Sequence, residues 1–361
     1  MRSLLVTGGA GFIGVNFIRF WLDEHPGEPL VVLDALTYAG NEASLTGLAG
    51  RPGYSFVRGD IGEESLVTEL LDRHQVNTVV HFAAESHIDR SITGPDEFVR
   101  TNVVGTHVLL KCARRAWQAC DAWKTGARFH HVSTDEVYGS LQTGEPAFTE
   151  RAQYNPNSPY AASKAGSDHL VRAYHHTYGL PVTMSHCSNN YGPYQFPEKL
   201  IPLMLVQALR GEALPVYGQG ENVRDWLFVH DHCRALSLVI RHGRNGERYN
   251  IGGNNEWRNI DIVRHLCAVL DEHFQAEPEL RTRYPLCPAS RGVKLETMIR
   301  FVTDRPGHDW RYALDTTKIR NELGFRPAET FASGIAATVQ WYLDNEPWWR
   351  SILDGSYRRQ A

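Results

Sequence analysis

No apolar run in the 361 residues approaches the roughly 20 that a helix needs to cross a bilayer. A helical membrane protein is thereby excluded. Met1-Arg2 leads directly into Ser3-Leu4-Leu5, a short strand rather than a leader, so the expected location is the cytoplasm. The chain also lacks any block of basic residues. Its 37 Lys and Arg and 41 Asp and Glu are dispersed, with a formal net charge of −4, and offer no surface that would track a nucleic-acid backbone. Cysteine is scarce: six residues, at 112, 120, 187, 233, 267 and 287, without a C-x-x-C pair, fit reduced thiols and neither a disulfide framework nor a zinc site. His230 and His232 are spaced to face one way on a strand. No Cys or carboxylate spacing completes a metal set around them, so no metal is expected and they read as polar packing or surface residues. Internal repeats and low-complexity tracts are missing too.

What is present is an alternation. Short apolar, β-branched runs at 4–7, 30–33, 55–57, 78–82, 129–133 and 181–186 have the texture of parallel strands covered on both faces. Between them, 98–116 and 161–178 carry helical apolar periodicity. The expected class is α/β: a doubly wound parallel sheet of Rossmann type over about 1–190. Pro193, Pro197, Pro202, Pro215 and the turn-rich Tyr217-Gly218-Gln219-Gly220-Glu221 then break the alternation. They predict a smaller, partly interleaved α/β C-terminal domain over 191–361, with some segments returning to the first. The stretch 275–296, rich in Arg and Pro, reads as a long loop or lid.

Gly8, Gly11 and Gly14 follow the first strand and precede the helical run of Phe12, Ile13 and 15–22. Glycines in that context permit a tight turn and bring backbone N–H groups and a helix N-terminus against a pyrophosphate. Asp34 ends the second strand, where a carboxylate accepts hydrogen bonds from the adenosine ribose and repels a 2′-phosphate. NAD is favoured over NADP, since Ala35, Leu36 and Thr37 supply no arginine. Asp60, beside Ile61, is placed to meet the adenine edge, although an Asp in a turn serves as often as a cap.

Tyr160 and Lys164 lie four apart on a predicted helix and share a face. A lysine ammonium beside the phenol, helped by a positive nicotinamide ring, favours phenolate and lowers a pKa that starts near ~10. The phenolate then takes a hydroxyl proton while hydride leaves the same carbon. Ser133-Thr134-Asp135-Glu136 sits at the carboxyl end of a strand, the edge at which open α/β sheets bind ligands. Thr134 is suited to hold the reacting hydroxyl. The two acids suit an elimination: once C4 of a hexose is a ketone, a carboxylate removes the C5 proton and a carboxylic acid protonates the departing C6 hydroxyl. Hydride return to C6 then yields a 4-keto-6-deoxy sugar with no net use of cofactor.

At these residues the sequence resembles the dTDP-glucose 4,6-dehydratases of the extended short-chain dehydrogenase/reductase superfamily. The resemblance runs nearly end to end, through His81-Phe82-Ala83-Ala84-Glu85-Ser86-His87, Ser133 to Gly139, Cys187-Ser188-Asn189-Asn190-Tyr191-Gly192-Pro193, Pro197-Glu198-Lys199-Leu200, Val223-Arg224-Asp225-Trp226 and Asp304-Arg305-Pro306-Gly307-His308-Asp309. It implies Asp135 as acid toward C6, Glu136 as base at C5 and Tyr160 as base at the C4 hydroxyl, which Thr134 positions. It also implies Thr37, Ile61, Ala83, Ala84, Ser86, Thr101, Lys164 and Asn190 along the cofactor, with Ser86 and Asn189 toward the hexose. In the smaller domain, Lys199, Leu200, Arg224, Asn259, Arg305 and His308 are implied to hold the nucleotide diphosphate, with Pro215 and Tyr217 at the base. A homodimer through the helices at 97–116 and 161–178 is implied as well. Other readings stay open: a nucleotide-sugar 4-epimerase or decarboxylase has no evident need for both acids, and a non-catalytic NAD-sensing protein has no need for Tyr160 and Lys164. Segment 280–297 is longer than in that family, and His186 stands where Arg or Asn is frequent.

Overall fold

Short buried strands build the centre of the molecule, described here from a computed structural model over residues 2–120, 126–304 and 307–359. In chain order the strands are β1 (Leu4–Thr7), β2 (Leu30–Asp34), β3 (Tyr54–Arg58), β4 (Thr78–His81), β5 (Arg128–Thr134), β6 (Val182–Cys187), β7 (Asn189–Tyr191), β8 (Leu214–Tyr217), β9 (Val223–Phe228), β10 (Arg248–Ile251), β11 (Glu256–Arg258) and β12 (Ile299–Val302). Seven of them form one parallel sheet in the order β10-β6-β5-β4-β1-β2-β3. The order reverses between β1 and β4, and crevices at such switch points, outside the carboxyl strand ends, are where these sheets bind ligands.

The helices are α1 (Phe12–Glu24), α2 (Glu64–Arg73), α3 (Ile88–Thr93), α4 (Asp96–Phe98), α5 (Thr106–Ala119), α6 (Pro159–Tyr178), α7 (Leu200–Arg210), α8 (Val229–His242), α9 (Asn259–Ala276), α10 (Glu279–Arg283), α11 (Thr317–Leu323), α12 (Phe331–Asp344) and α13 (Glu346–Leu353). On one face of the sheet α1 and α8 close a core around Val6, Phe17, Trp21, Val32, Leu236 and Tyr249. On the other, α2, α5 and α6 cover Leu5, Val79, Leu110, Trp117, Phe129 and Val171. Thus β10, α8 and α11, which follow residue 190, pack with the first sheet. A separate core joins β8, β9, α7, α9 and α12 around Leu205, Trp226, Leu266, Phe274 and Tyr342.

Two expectations are corrected, and a third, the helix at 98–116, is refined. The helix expected at 98–116 is a π-helical turn, Val99–Gly105, followed by α5. In this turn buried Asn102 bonds the backbone of Glu85 twice and the Ser163 hydroxyl, tying the β4 edge to α6. Stretch 275–296 is no lid: α10 and the turn Pro288–Arg291 fold Leu280, Tyr284, Cys287 and Leu295 into the smaller core. Its apolar residues 280, 284 and 287 have helical spacing, but Pro285 and Pro288 cut the segment too short for a periodic signal. His230 and His232 lie on α8, not on a strand, so they point apart. His232 is buried against Asn190 Oδ1 at 2.9 Å, and burial lowers its pKa to about 3, leaving a neutral packing residue.

Candidate active site

The turn from β1 into α1 is shaped by contacts that admit no side chain. Gly8 has φ +73° and a Cβ there would lie 2.5 Å from the Ala83 nitrogen, while one on Gly14 would lie 2.2 Å from the Gly8 carbonyl oxygen. Gly11, the N-cap of α1, differs: a Cβ there meets only the Gly8 oxygen at 3.3 Å and otherwise faces open space above the N–H groups of the first helical turn. That is a cradle for an anion. Beside it, Asp34 is nearly buried, its Oδ2 accepting from Ala10 N and its Oδ1 from Leu36 N, both at 2.8 Å. Burial raises its pKa and these two backbone bonds oppose the rise.

From this turn a cleft enclosing about 330 Å³ runs along the carboxyl strand ends. Gly8, Gly11, Phe12, Ile13, Gly14, Asp34 and Thr37 line its first part, and Asp60, Ile61, Ala83, Ala84, Ser86 and Thr101 its flank. Thr134, Asp135, Glu136, Tyr160, Lys164, Asn189, Asn190 and Lys199 line the remainder. Asp60 caps its own turn through Gly62 N at 2.7 Å and pairs with Arg100 at 3.1 Å, so its carboxylate already has two uses. The donor set fits a dinucleotide: glycine turn and helix N-terminus for the pyrophosphate, Asp34 for the ribose, and a small-residue floor at Ala83 and Ala84.

The chemical end is built by two elements meeting. Strand β5 stops at Thr134, whose hydroxyl accepts from Glu136 N at 3.3 Å and donates to Asp135 Oδ1 at 3.2 Å, starting the turn Asp135–Tyr138. Helix α6 begins where Ser158 caps it, Oγ accepting from Ala161 N at 3.1 Å, with Pro159 in its first turn. Tyr160, Lys164 and Asp168 are therefore stacked at four-residue intervals on one face. Asp135 is 3% exposed and its Oδ2 has no hydrogen-bond partner among the described residues. Burial first, then the charge of Glu136, push its pKa well above the usual carboxylate range; Arg224 opposes this, Asp225 adds to it, and the Thr134 hydrogen bond acts against it. Its surroundings thus favour the protonated carboxyl.

Tyr160 lies in the first turn of α6 and lines the cleft. Burial, followed by Glu136 and Cys187, holds its phenol well above the ordinary value, with the Thr134 hydroxyl acting the other way. Lys164 Nζ donates to the Val132 carbonyl at 2.9 Å. Burial lowers the Lys164 pKa and Asp168 supports it.

Leu200, Pro215, Tyr217, Arg224, Asn259 and His308 are not among the residues lining this cleft. Several gather instead around segment 304–312. Arg224 is buried, stacks 4.3 Å over the Tyr312 ring and donates to the carbonyls of Asp309 and Trp310. Tyr217 lies edge-on to His308, which meets Asp304 at 2.6 Å. Pro215 sits in β8 opposite Arg300, and Leu200 and Asn259 open α7 and α9. Arg305 lies outside the described residues. Sequence reasoning missed Tyr38, Arg100, Cys187, Gln195 and Glu198, which also line the cleft. Tyr38, Cys187 and Glu198 stand inside or beside stretches already singled out, and Asp168 repeats the Tyr160 to Lys164 interval once more.

Among the described residues no group of three or more His, Cys, Asp or Glu is placed to hold a metal ion, and no helix is long and apolar enough to cross a membrane. The family model described as GDP-mannose 4,6 dehydratase matches residues 5–338. A dTDP-glucose 4,6-dehydratase of Xanthomonas campestris pv. campestris is 57% identical over 360 residues, covering 99% of this chain and 98% of that one. One from Escherichia coli is 50% identical, covering 98% and 97%. The crystal structure of the dTDP-glucose 4,6-dehydratase from Streptomyces venezuelae, solved with NAD bound, superposes with a TM-score of 0.84 at 48% identity, over 98% of this chain and all of that one. With these matches running through the glycine turn, the paired acids and the Tyr160–Lys164 helix, the chain belongs to the family of the GDP-mannose 4,6 dehydratase model and, within it, to the dTDP-glucose 4,6-dehydratases.

Proposed function

We propose that the chain is an NAD-dependent lyase that converts dTDP-glucose to dTDP-4-keto-6-deoxyglucose. The observation that carries this reading is the pair Asp135 and Glu136 in one cleft with Tyr160, Lys164 and the glycine turn, with burial favouring the protonated form of Asp135. An oxidation alone needs a base, and an elimination needs an acid too.

Bound along the cleft, NAD supplies the hydride acceptor for C4, the hydride donor for C6 and the positive ring charge that favours the Tyr160 phenolate. Gly8, Gly11 and Gly14 hold its pyrophosphate, Asp34 its ribose, and Thr37, Ile61, Ala83, Ala84, Ser86, Thr101 and Asn190 its length. Thr134 positions the C4 hydroxyl and Tyr160 takes its proton. Glu136 removes the C5 proton, now acidic beside the ketone, while Asp135 delivers a proton to the C6 hydroxyl, which leaves as water. Asn189 and Ser86 face the hexose. Lys199 reaches the cleft and its Nζ donates to the Ser86 carbonyl, a position from which its charge serves a diphosphate. The smaller domain after residue 190, with Arg224, Asn259, Arg305, His308, Pro215 and Tyr217, takes the nucleotide. A cytoplasmic homodimer is the assembly we propose, supported by Val99 and Val104, about half exposed on the π-helical turn.

The test is incubation of the purified chain with dTDP-glucose and NAD, read by mass. Loss of one water without net NADH, with labelled C4 hydrogen appearing at C6, is the expected result. An unchanged mass with inverted C4 refutes the elimination. In Asp135→Asn and Glu136→Gln, enzyme-bound NADH should build up while keto-deoxy product falls by about 10²-fold or more. In Tyr160→Phe bound NAD should stay oxidised.

A further inference from the structure

Behind the cleft wall a buried polar cluster surrounds Asp168. It is 1% exposed and sits on α6 one turn past Lys164. Its Oδ2 accepts from the Ser133 hydroxyl at 2.9 Å and the Tyr154 hydroxyl at 2.9 Å, and lies 3.0 Å from His186 Nε2. His131 Nε2 stands 3.1 Å from Oδ1. Ser133 and His131 belong to β5, His186 to β6 and Tyr154 to the connection before α6.

We propose, on the dehydratase reading, that Asp168 is a positioning residue: its buried carboxylate ties the acid-bearing end of β5 to the Tyr160–Lys164 helix and is the counter-charge that keeps Lys164 an ammonium. A core carboxylate costs stability unless it is fully bonded and serves a charge nearby. Asp168 meets this mainly through Oδ2, which has the Ser133 and Tyr154 hydroxyls and His186 as partners, while Oδ1 faces His131 at 3.1 Å. Burial alone would raise its pKa, but hydrogen bonds from His131 and His186 bring it well below the carboxylate range, so it is charged. His131, with a pKa lowered to about 4 mainly by burial, is neutral at pH 7, and His81 is driven well below its usual value in the same way. The remaining groups facing the pair are Cys187, whose pKa is pushed up to about 12, and Tyr138, whose phenol burial raises; Arg248 lies 5.4 Å over the Tyr154 ring. Lys164, 4% exposed, therefore draws its main electrostatic support from Asp168. The tie is as direct: Ser133, bonded to Asp168, immediately precedes Thr134, Asp135 and Glu136.

The test compares the wild type with Asp168→Asn and Ser133→Ala as full chains loaded with NAD. Asp168→Asn should move the basic limb of the kcat profile down by about one pH unit or more, because an uncompensated buried lysine gives up its proton at lower pH. The KM for dTDP-glucose should change less than about threefold. A folded variant with the wild-type limb overturns the proposal. Ser133→Ala keeps the carboxylate and cuts the tie, so kcat should fall about threefold to tenfold with KM, melting temperature and basic limb retained. If Asp168→Asn does not fold, a wild-type kcat in Ser133→Ala overturns the proposal. A wild type that makes no product counts against the dehydratase reading alone. Lys164 is then titrated by NMR of ¹⁵N-lysine protein, where the downward move in Asp168→Asn is expected and an unchanged titration refutes it.

Discussion

Alanine at two glycines of the first turn should produce opposite defects. At Gly14 the added Cβ falls 2.2 Å from the Gly8 oxygen and 2.8 Å from Gly9 Cα, both backbone atoms that cannot swing away. Helix α1 would have to withdraw from β1 by roughly 1 Å, an overpacking that costs about 3 kcal/mol at the upper end of such cases. Alanine inside a helix recovers about 1 kcal/mol over glycine. The clash wins, and a net loss of about 2 kcal/mol should lower the melting temperature of Gly14→Ala by about 2–3 °C. At Gly11 the same methyl has only the Gly8 oxygen at 3.3 Å, and φ −81° suits alanine. Stability should then change by less than about 1 kcal/mol, the usual cost of alanine in place of glycine at an N-cap. The methyl does occupy the space above the helix N-terminus, so the NAD dissociation constant should rise by at least about tenfold, or about 1.4 kcal/mol. Scanning calorimetry without NAD and titration calorimetry with it separate the two. If Gly11→Ala binds NAD as the wild type does, the pyrophosphate does not lie against this turn. If Gly14→Ala melts unchanged, the close packing of α1 on β1 is misread.

Asp135→Asn should abolish elimination yet stabilise the folded chain at pH 8. A carboxyl whose folded pKa is raised has its stability in full below the unfolded value near ~3.9 and loses it as pH rises toward the folded value. An amide carries no such loss, so the gain in melting temperature should close as pH falls to about 4; a gain that persists at acid pH refutes the reasoning. Leu280→Ala should cost about 2–4 kcal/mol in denaturant unfolding, because Leu280 is 3% exposed in the smaller core. A neutral result would return the segment to the loop that its prolines suggest.

Two kinds of feature were unequally legible in the chain. Local chemistry could be read directly: three glycines at fixed intervals after a strand, an acid ending the next strand, paired acids at a third strand end, and a tyrosine and lysine four apart on a helix. Each needs only a neighbour in sequence to be meaningful, and the alternation of short apolar strands with periodic helices places their carboxyl ends on one edge. Where periodicity was cut short by proline, at 275–296, or where a histidine pair was assigned to the wrong element, at 230 and 232, the local signal failed.

Protonation was a matter for the tertiary structure alone. Burial beside Glu136 raises the pKa of both Asp135 and Tyr160, and burial sums over elements that lie far apart in sequence. The same holds for Asp168, whose partners come from β5, β6 and the connection before α6. It holds also for β10, which reaches the first sheet from beyond residue 240 because the edge of β6 was open to a parallel partner. Residue types at short spacing thus determined which chemistry the chain carries, and long-range packing decided which of those groups hold their protons, since desolvation is a property of the surroundings and not of the residue.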